Sequence, residues 1–194
     1  MRGEAERKPS VPQAALDHPP HVVGLRDRAV IAILIYTAAR VGAVAKLRRG
    51  DFYQSGDQYC LRFLEKGGKV REIPVRHDLQ GWLHEYLQVA QLDDVPPLTP
   101  IFCTTVRKTK RLTTHSMTAD DMGRMIKRRL WDAGLSLRFS AHSFRVMALT
   151  DLLSQGVSLT DTQNLAGHAD PRTTRLYDRR QRRVTRNIVE RISV

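Results

Sequence analysis

Ala-His-Ser-Phe-Arg at 141–145, Leu-Ala-Gly-His at 165–168 and Arg-Leu-Tyr at 175–177 follow in close succession, and they decide how the rest of the chain is read. Their punctuation is that of capped helices. Ser140 is placed to cap a helix running to Gly156, and Ser158 to cap one that stops at Gly167. A hydroxyl satisfies free N–H groups of a first turn, and glycine accepts the left-handed conformation past a last one. Asp170 at a cap and Pro171 at the first helical position start a short helix towards Tyr177. His142 and Arg145 then lie three apart near a helix N-terminus, on one face, where free backbone N–H groups favour an anion. An isolated His-x-x-Arg is equally what a core-edge histidine beside a surface arginine gives. His168 by itself is a helix cap, and Tyr177 a packing residue. The Asp-Arg-Arg-Gln-Arg-Arg that follows Tyr177 at 178–183 is, however, poor company for a deep core position.

Outward from this segment, Leu25, Ala29, Ile33, Tyr36 and Ala39 recur at helical spacing with further apolar residues between them, which predicts a largely buried helix over 25–40. Arg40 ends it, a permanent charge that needs a counter-anion or an exit to solvent. Tyr59, Leu61 and Phe63, then Gly67-Gly68, then Val70, Ile73 and Val75 make a hairpin pattern with Lys66 at its turn. Glu-Lys-Gly-Gly-Lys at 65–69 lacks the spacing of a nucleotide-binding phosphate loop. Leu79 to Ala90 and Thr118 to Gly134 read as further helices, with a Pro-rich loop at 96–100, and Thr185 to Ile192 as a terminal one. Four prolines among charged and small residues make 1–23 a linker in composition. The expected fold class is α+β, mainly α, with a small antiparallel β-sheet.

The 194 residues are enough for one domain with a core, and 41% hydrophobic content excludes wholesale disorder. A net charge of +12 predicts a polyanionic partner, nucleic acid ahead of an anionic membrane. The longest apolar run, Ala29 to Ala39, falls short of the roughly 20 residues that cross a bilayer, and the polar N-terminus lacks a signal-peptide core. A soluble, intracellular protein is expected. Cys60 and Cys103 are too few for a disulfide framework and have no metal-ligand spacing, so two free thiols are expected. The neighbouring carboxylates Asp93-Asp94 and Asp120-Asp121 do not face each other on regular elements, which argues against a metal-dependent nuclease.

In this order, an arginine after a buried helix (Arg40), a hairpin lysine (Lys66), His-x-x-Arg (His142 and Arg145), Gly-His (Gly167 and His168) and a tyrosine (Tyr177), the chain resembles the catalytic domain of the tyrosine recombinases, the phage-integrase family that includes Xer and transposon-borne integrases. The resemblance spans roughly residues 25 to 178. It implies a catalytic domain over 24–178, with 179–194 a tail helix that docks in trans on a neighbouring copy or in cis on its own domain. It also implies that Tyr177 attacks a DNA phosphodiester to give a 3′-phosphotyrosine link without metal, ATP or other cofactor. Arg40 and Arg145 would hold the phosphate oxygens, His142 would act as general base, Lys66 as general acid, and His168 would bind phosphate. Lys69, Arg71, Arg172 and Arg175 are the expected DNA contacts. The implied partner is a duplex with a specific recombination site, engaged by a homotetramer, with no membrane.

Two departures stand out. Ala43 occupies a position where the family often has an acidic residue, and the chain leaves no room for the helical core-binding domain that completes a clamp on DNA. Two other readings fit the same motifs: a type IB topoisomerase-like relaxase that reseals one duplex, and a non-catalytic DNA-binding regulator on the same fold.

Overall fold

The computed structural model describes residue 16 and residues 21–65, 67–107, 109–167 and 171–178. Lys66, His168, the tail 179–194 and nearly all of the expected N-terminal linker lie outside the described residues. Leu16, within that expected linker, is 4% exposed and belongs to the core.

Helix α1 (Val22–Thr37) is apolar on all sides, and Ala29 through Leu34 are buried without exception. A helix of that kind has to be surrounded. It packs against α3 (His77–Val89), α4 (Ala119–Asp132) and α5 (Ala141–Ser154). It stops three residues before the predicted end at Arg40. Thr37 turns its hydroxyl back onto the Ile33 carbonyl at 2.7 Å, and Ala38 takes the left-handed conformation at φ 49. A side chain in that region is disfavoured by roughly 1–2 kcal/mol, so packing must hold Ala38 there. Ala38 is fully buried against Leu149 and Ala166. The consequence is functional: the chain breaks out of α1, and Arg40 becomes the N-cap of a separate short helix, α2 (Val41–Val44).

A 3-10 turn at Arg49–Asp51 leads into a three-stranded antiparallel sheet, ordered β1 (Phe52–Ser55), β2 (Gln58–Leu64), β3 (Val70–Pro74). The predicted hairpin is β2–β3, with Phe63 opposite Arg71 and Leu64 opposite Val70. Leu61, Phe63 and Ile73 are buried while Arg62, Leu64 and Glu72 are exposed, the period-2 alternation of a one-sided sheet. Strand β1 and a second ribbon of β4 (Cys103–Thr105) and β5 (Leu112–Ser116) were not expected from the sequence.

The C-terminal helices follow their caps. Thr118 and Asp121 form a reciprocal capping box at α4, Ser140 precedes α5, Ser158 caps α6 (Leu159–Ala166) and Gly167 ends it at φ 62, before α7 (Pro171–Arg175). Among the described residues, charge is buried around Asp27 of α1 and again at Glu65 and Arg145. Asp27 of α1, with no exposure, accepts from Arg26 Nε at 2.9 Å and Arg129 Nε at 2.8 Å, while Arg26 Nη1 donates to the Cys103 carbonyl at 2.7 Å. This network ties α1 to α4 and β4, and removing one partner of such a buried pair typically costs about 3–5 kcal/mol. Cys60 and Cys103 are both free and buried. No helix among the described residues is long and apolar enough to cross a membrane.

Candidate active site

Five parts of the chain deliver the site: the break after α1, the β2–β3 hairpin, the first turns of α5, the end of α6 and the turn after α7. Arg145 lies one turn into α5 and is 3% exposed. Its Nη1 donates to the carbonyl of Ala38, just past the end of α1, and its Nη2 to that of Ala166, the last residue of α6, at 2.6 Å. Carbonyls at helix C-termini lack intrahelical partners and carry the negative end of the helix dipole, so two helix ends converge on one guanidinium. Even so, burial and then the charges of Arg40 and Arg71 pull the Arg145 pKa down to about 10, against the opposing influence of Tyr177 and Glu65. An anion brought beside it would favour its charged form.

Arg40 is half-exposed and donates through Nη1 to Glu65 Oε2 at 2.8 Å. The other oxygen of Glu65 accepts from Arg71 Nη2 at 2.7 Å. Burial pushes the Glu65 carboxyl up, but the hydrogen bonds from Arg71 and Arg40 more than offset that and hold it below the ordinary carboxylate range. Arg71 is mostly buried, lies over the Phe63 ring at 5.5 Å and donates through Nη1 to the Leu165 carbonyl. Its Nε is buried with no hydrogen-bond partner among the described residues. Gly167 has a reason to be glycine beyond its positive φ, since a Cβ there would stand 3.1 Å from Arg71 Nε.

Tyr177 follows α7 and is partly buried, its ring against the small cluster of Ala38, Leu149 and Ala166, the backbone that also receives Arg145. His142 is exposed and lines an open groove of about 450 Å³ with Arg124, Lys127 and Ser140. The structure thus brings Arg40, Arg145 and Tyr177 together, places His142 on the same helix as Arg145 but on the surface, and leaves Lys66 and His168 outside the described residues. Glu65 and Gly67, which flank Lys66, are described, and the Glu65 N–H donates to the Lys69 carbonyl at 2.8 Å, closing the hairpin. Lys69, Arg172 and Arg175 are exposed, whereas the Arg71 guanidinium is engaged inward. Ala43 is buried, and the carboxylate beside Arg40 comes from Glu65 instead. Sequence reading passed over Glu65.

A mainly helical domain that gathers buried arginines beside a tyrosine, with a β-hairpin at its edge, defines the class of integrase-type catalytic domains. The chain belongs to the phage integrase family, whose profile matches residues 12–183. It is 27% identical over 157 residues to the tyrosine recombinase XerD of Lacticaseibacillus casei, covering 80% of this chain and 50% of that one. It is 30% identical over 162 residues to XerC of Chlamydia muridarum (strain MoPn / Nigg), covering 80% and 47%. The chain therefore spans about half the length of the curated relatives it matches. In fold it is similar to the XerH site-specific recombinase bound to a palindromic difH substrate in a post-cleavage complex, with a TM-score of 0.70, 23% identity, and 86% of this chain and 47% of that one covered. The XerA recombinase gives a TM-score of 0.71 at 20% identity, with 95% and 62% covered.

Proposed function

We propose that this chain is the catalytic domain of a site-specific DNA recombinase that cuts and rejoins duplex DNA through a 3′-phosphotyrosine intermediate. One juxtaposition carries the reading: the buried Arg145, its charge disfavoured by burial and by Arg40 and Arg71, lies beside half-exposed Arg40 and within electrostatic reach of Tyr177. The Tyr177 hydroxyl attacks the phosphorus, the P–O5′ bond breaks, and the 5′-oxygen leaves as a hydroxyl. Rejoining is the reverse, with a 5′-hydroxyl attacking the phosphotyrosine. One phosphoester is exchanged for another, so neither ATP nor metal is needed. Arg40 and Arg145 stabilise the charge that grows on the non-bridging oxygens. A free tyrosine has a pKa of about 10, so a base is required near neutrality; His142 is assigned that role, Lys66 the protonation of the 5′-oxygen, and His168 a phosphate contact. A nicked suicide duplex carrying a candidate site, in EDTA, tests the reading: an SDS-resistant adduct mapped to Tyr177 supports it. Binding without an adduct, both for this chain and for the chain extended by a DNA-clamping domain, rejects it in favour of a non-catalytic binder.

Duplex DNA is the proposed partner, and the positive face supplies the affinity. Neutralising exposed Lys69 is expected to weaken binding evenly across sequences and to lower the slope of log affinity against log salt by about 1. An unchanged slope in a salt titration would remove Lys69 from the interface. Assembly is proposed to be tetrameric on DNA, with Ile188, Val189 and Ile192 of a neighbour seated in the apolar groove of about 590 Å³ lined by Ile35, Tyr36, Leu79, Met147, Leu152 and Leu165. Truncation after Asp178 is then expected to leave the one-copy DNA complex and abolish the larger ones in sedimentation. Persistence of the larger species would place the tail in cis.

A further inference from the structure

The site holds a carboxylate for which the transfer scheme has no use. Glu65 places one oxygen on Arg40 and the other on Arg71, and its side chain is 8% exposed where that of Arg40 is 47% exposed. An anion in a site built for an anion is either a competitor for the phosphate or part of its frame, and relative burial separates the two. The carboxylate is sunk in the protein while much of Arg40 faces solvent, so Glu65 occupies one nitrogen of Arg40 and leaves the exposed part of that side chain to a ligand. On the other side the frame continues inward. Arg71, held by Glu65, donates to the Leu165 carbonyl, and the next carbonyl in the chain, that of Ala166, receives Arg145. A continuous run of charge-assisted hydrogen bonds and one peptide unit therefore joins Arg40 to Arg145.

We propose that Glu65 is a positioning residue that fixes the Arg40 guanidinium relative to Arg145, so that both meet one phosphate. The proposal rests on the recombinase reading above. Without Glu65 three cations would repel one another across the site, and Arg40, half in solvent, would have no preferred place. A carboxylate with two acceptor oxygens is suited to the task, because it bridges two forks at once.

Wild type, Glu65→Gln and Glu65→Asp, each as the full chain, provide the test. Glutamine keeps the shape but has one acceptor oxygen and no charge; aspartate keeps the charge but is one methylene too short to span both arginines. The readouts are the single-turnover rate of covalent capture on a suicide duplex at saturating protein, equilibrium affinity for the same duplex, thermal midpoint, and the 15N-detected exchange of arginine Nη–H groups. Both variants are expected to lose capture rate by about 100-fold, the size of effect that an ångström-scale misplacement produces. Affinity is expected to stay within about twofold, or to tighten for Glu65→Gln, since a negative charge has left a DNA-binding face. Capture at the wild-type rate by either variant overturns the proposal, and faster capture marks Glu65 as a competitor for the phosphate. Parallel losses of affinity, capture and thermal midpoint also overturn it, assigning Glu65 to folding alone. Should wild type form no adduct, even when extended by a DNA-clamping domain, the recombinase reading fails by itself, and exchange decides the positioning claim. Slowly exchanging Arg40 and Arg71 signals that are lost in Glu65→Gln uphold it, and signals unchanged between the two proteins refute it.

Discussion

Tyr177→Phe is expected to abolish covalent capture of a suicide duplex while leaving DNA affinity within about twofold of wild type. The two parts of the expectation have different physical sources. Capture requires an oxygen that bonds to phosphorus, and the substitution removes that atom from the residue beside Arg145. The ring carries the packing: Tyr177 lies against Ala38, Leu149 and Ala166, and phenylalanine fills the same space. Loss of one hydroxyl and its hydrogen bond typically changes stability by about 0.5–1.5 kcal/mol, so a folded variant with intact cationic residues remains. Duplex affinity comes mainly from phosphate contacts made by lysine and arginine, none of which changes. Anisotropy with a labelled duplex measures binding, and a denaturing gel measures the adduct. Capture by the variant at the wild-type rate would show that another residue is the nucleophile. Lost affinity together with a lowered thermal midpoint would instead place Tyr177 in the fold.

The helical part of this architecture was legible because its signals are local. A run apolar on all sides must be buried, and Thr118, Ser140, Ser158 and Gly167 mark helix ends through hydrogen bonds and φ values set within a few residues. The end of α1 was not legible, since nothing about Ala38 announces a left-handed turn; burial against α5 and α6 forces it. Strand β1 spans four residues and β4 three, the latter next to a register shift, and neither is long enough for alternation to show. Their pairing is a tertiary outcome. In the site, Arg40, Arg145 and Tyr177 were found from their motifs, but the depth of Arg145 was not, because its partners are two carbonyls from distant helix ends. Glu65 left a signal that went unused. Leu61 and Phe63 point inward, and the same period of two continues to residue 65, just as it runs from Ile73 back to Arg71 on the paired strand. Extending the alternation by one step on each strand predicts an inward carboxylate diagonal to an inward arginine, since Arg71 stands opposite Phe63. The hairpin was read for its turn, with Arg71 expected to contact DNA and no role given to Glu65.

Arg145→Lys is expected to slow covalent capture by about 10²- to 10³-fold, the usual cost of losing one preorganised donor to a developing oxyanion. Geometry accounts for part of the loss. The arginine fork reaches the Ala38 and Ala166 carbonyls with two nitrogens fixed in one plane, whereas a single ammonium on a flexible stem cannot hold both and still face a phosphate. Charge accounts for the rest, and its sign is testable. Burial, Arg40 and Arg71 lower Arg145 to about 10, which leaves it charged at neutral pH. A lysine begins at about 10.4, and the same causes lower it towards neutrality. A base with a lowered folded-state pKa is charged only below that value, so the variant is expected to gain its proton as the pH falls towards neutrality, while the wild-type arginine stays charged. The ratio of variant to wild-type capture rates removes any pH dependence that the two proteins share. The ratio is expected to rise as the pH falls. A ratio that stays flat would confine the defect to geometry, and a variant within about threefold of wild type at every pH would remove Arg145 from the chemistry altogether.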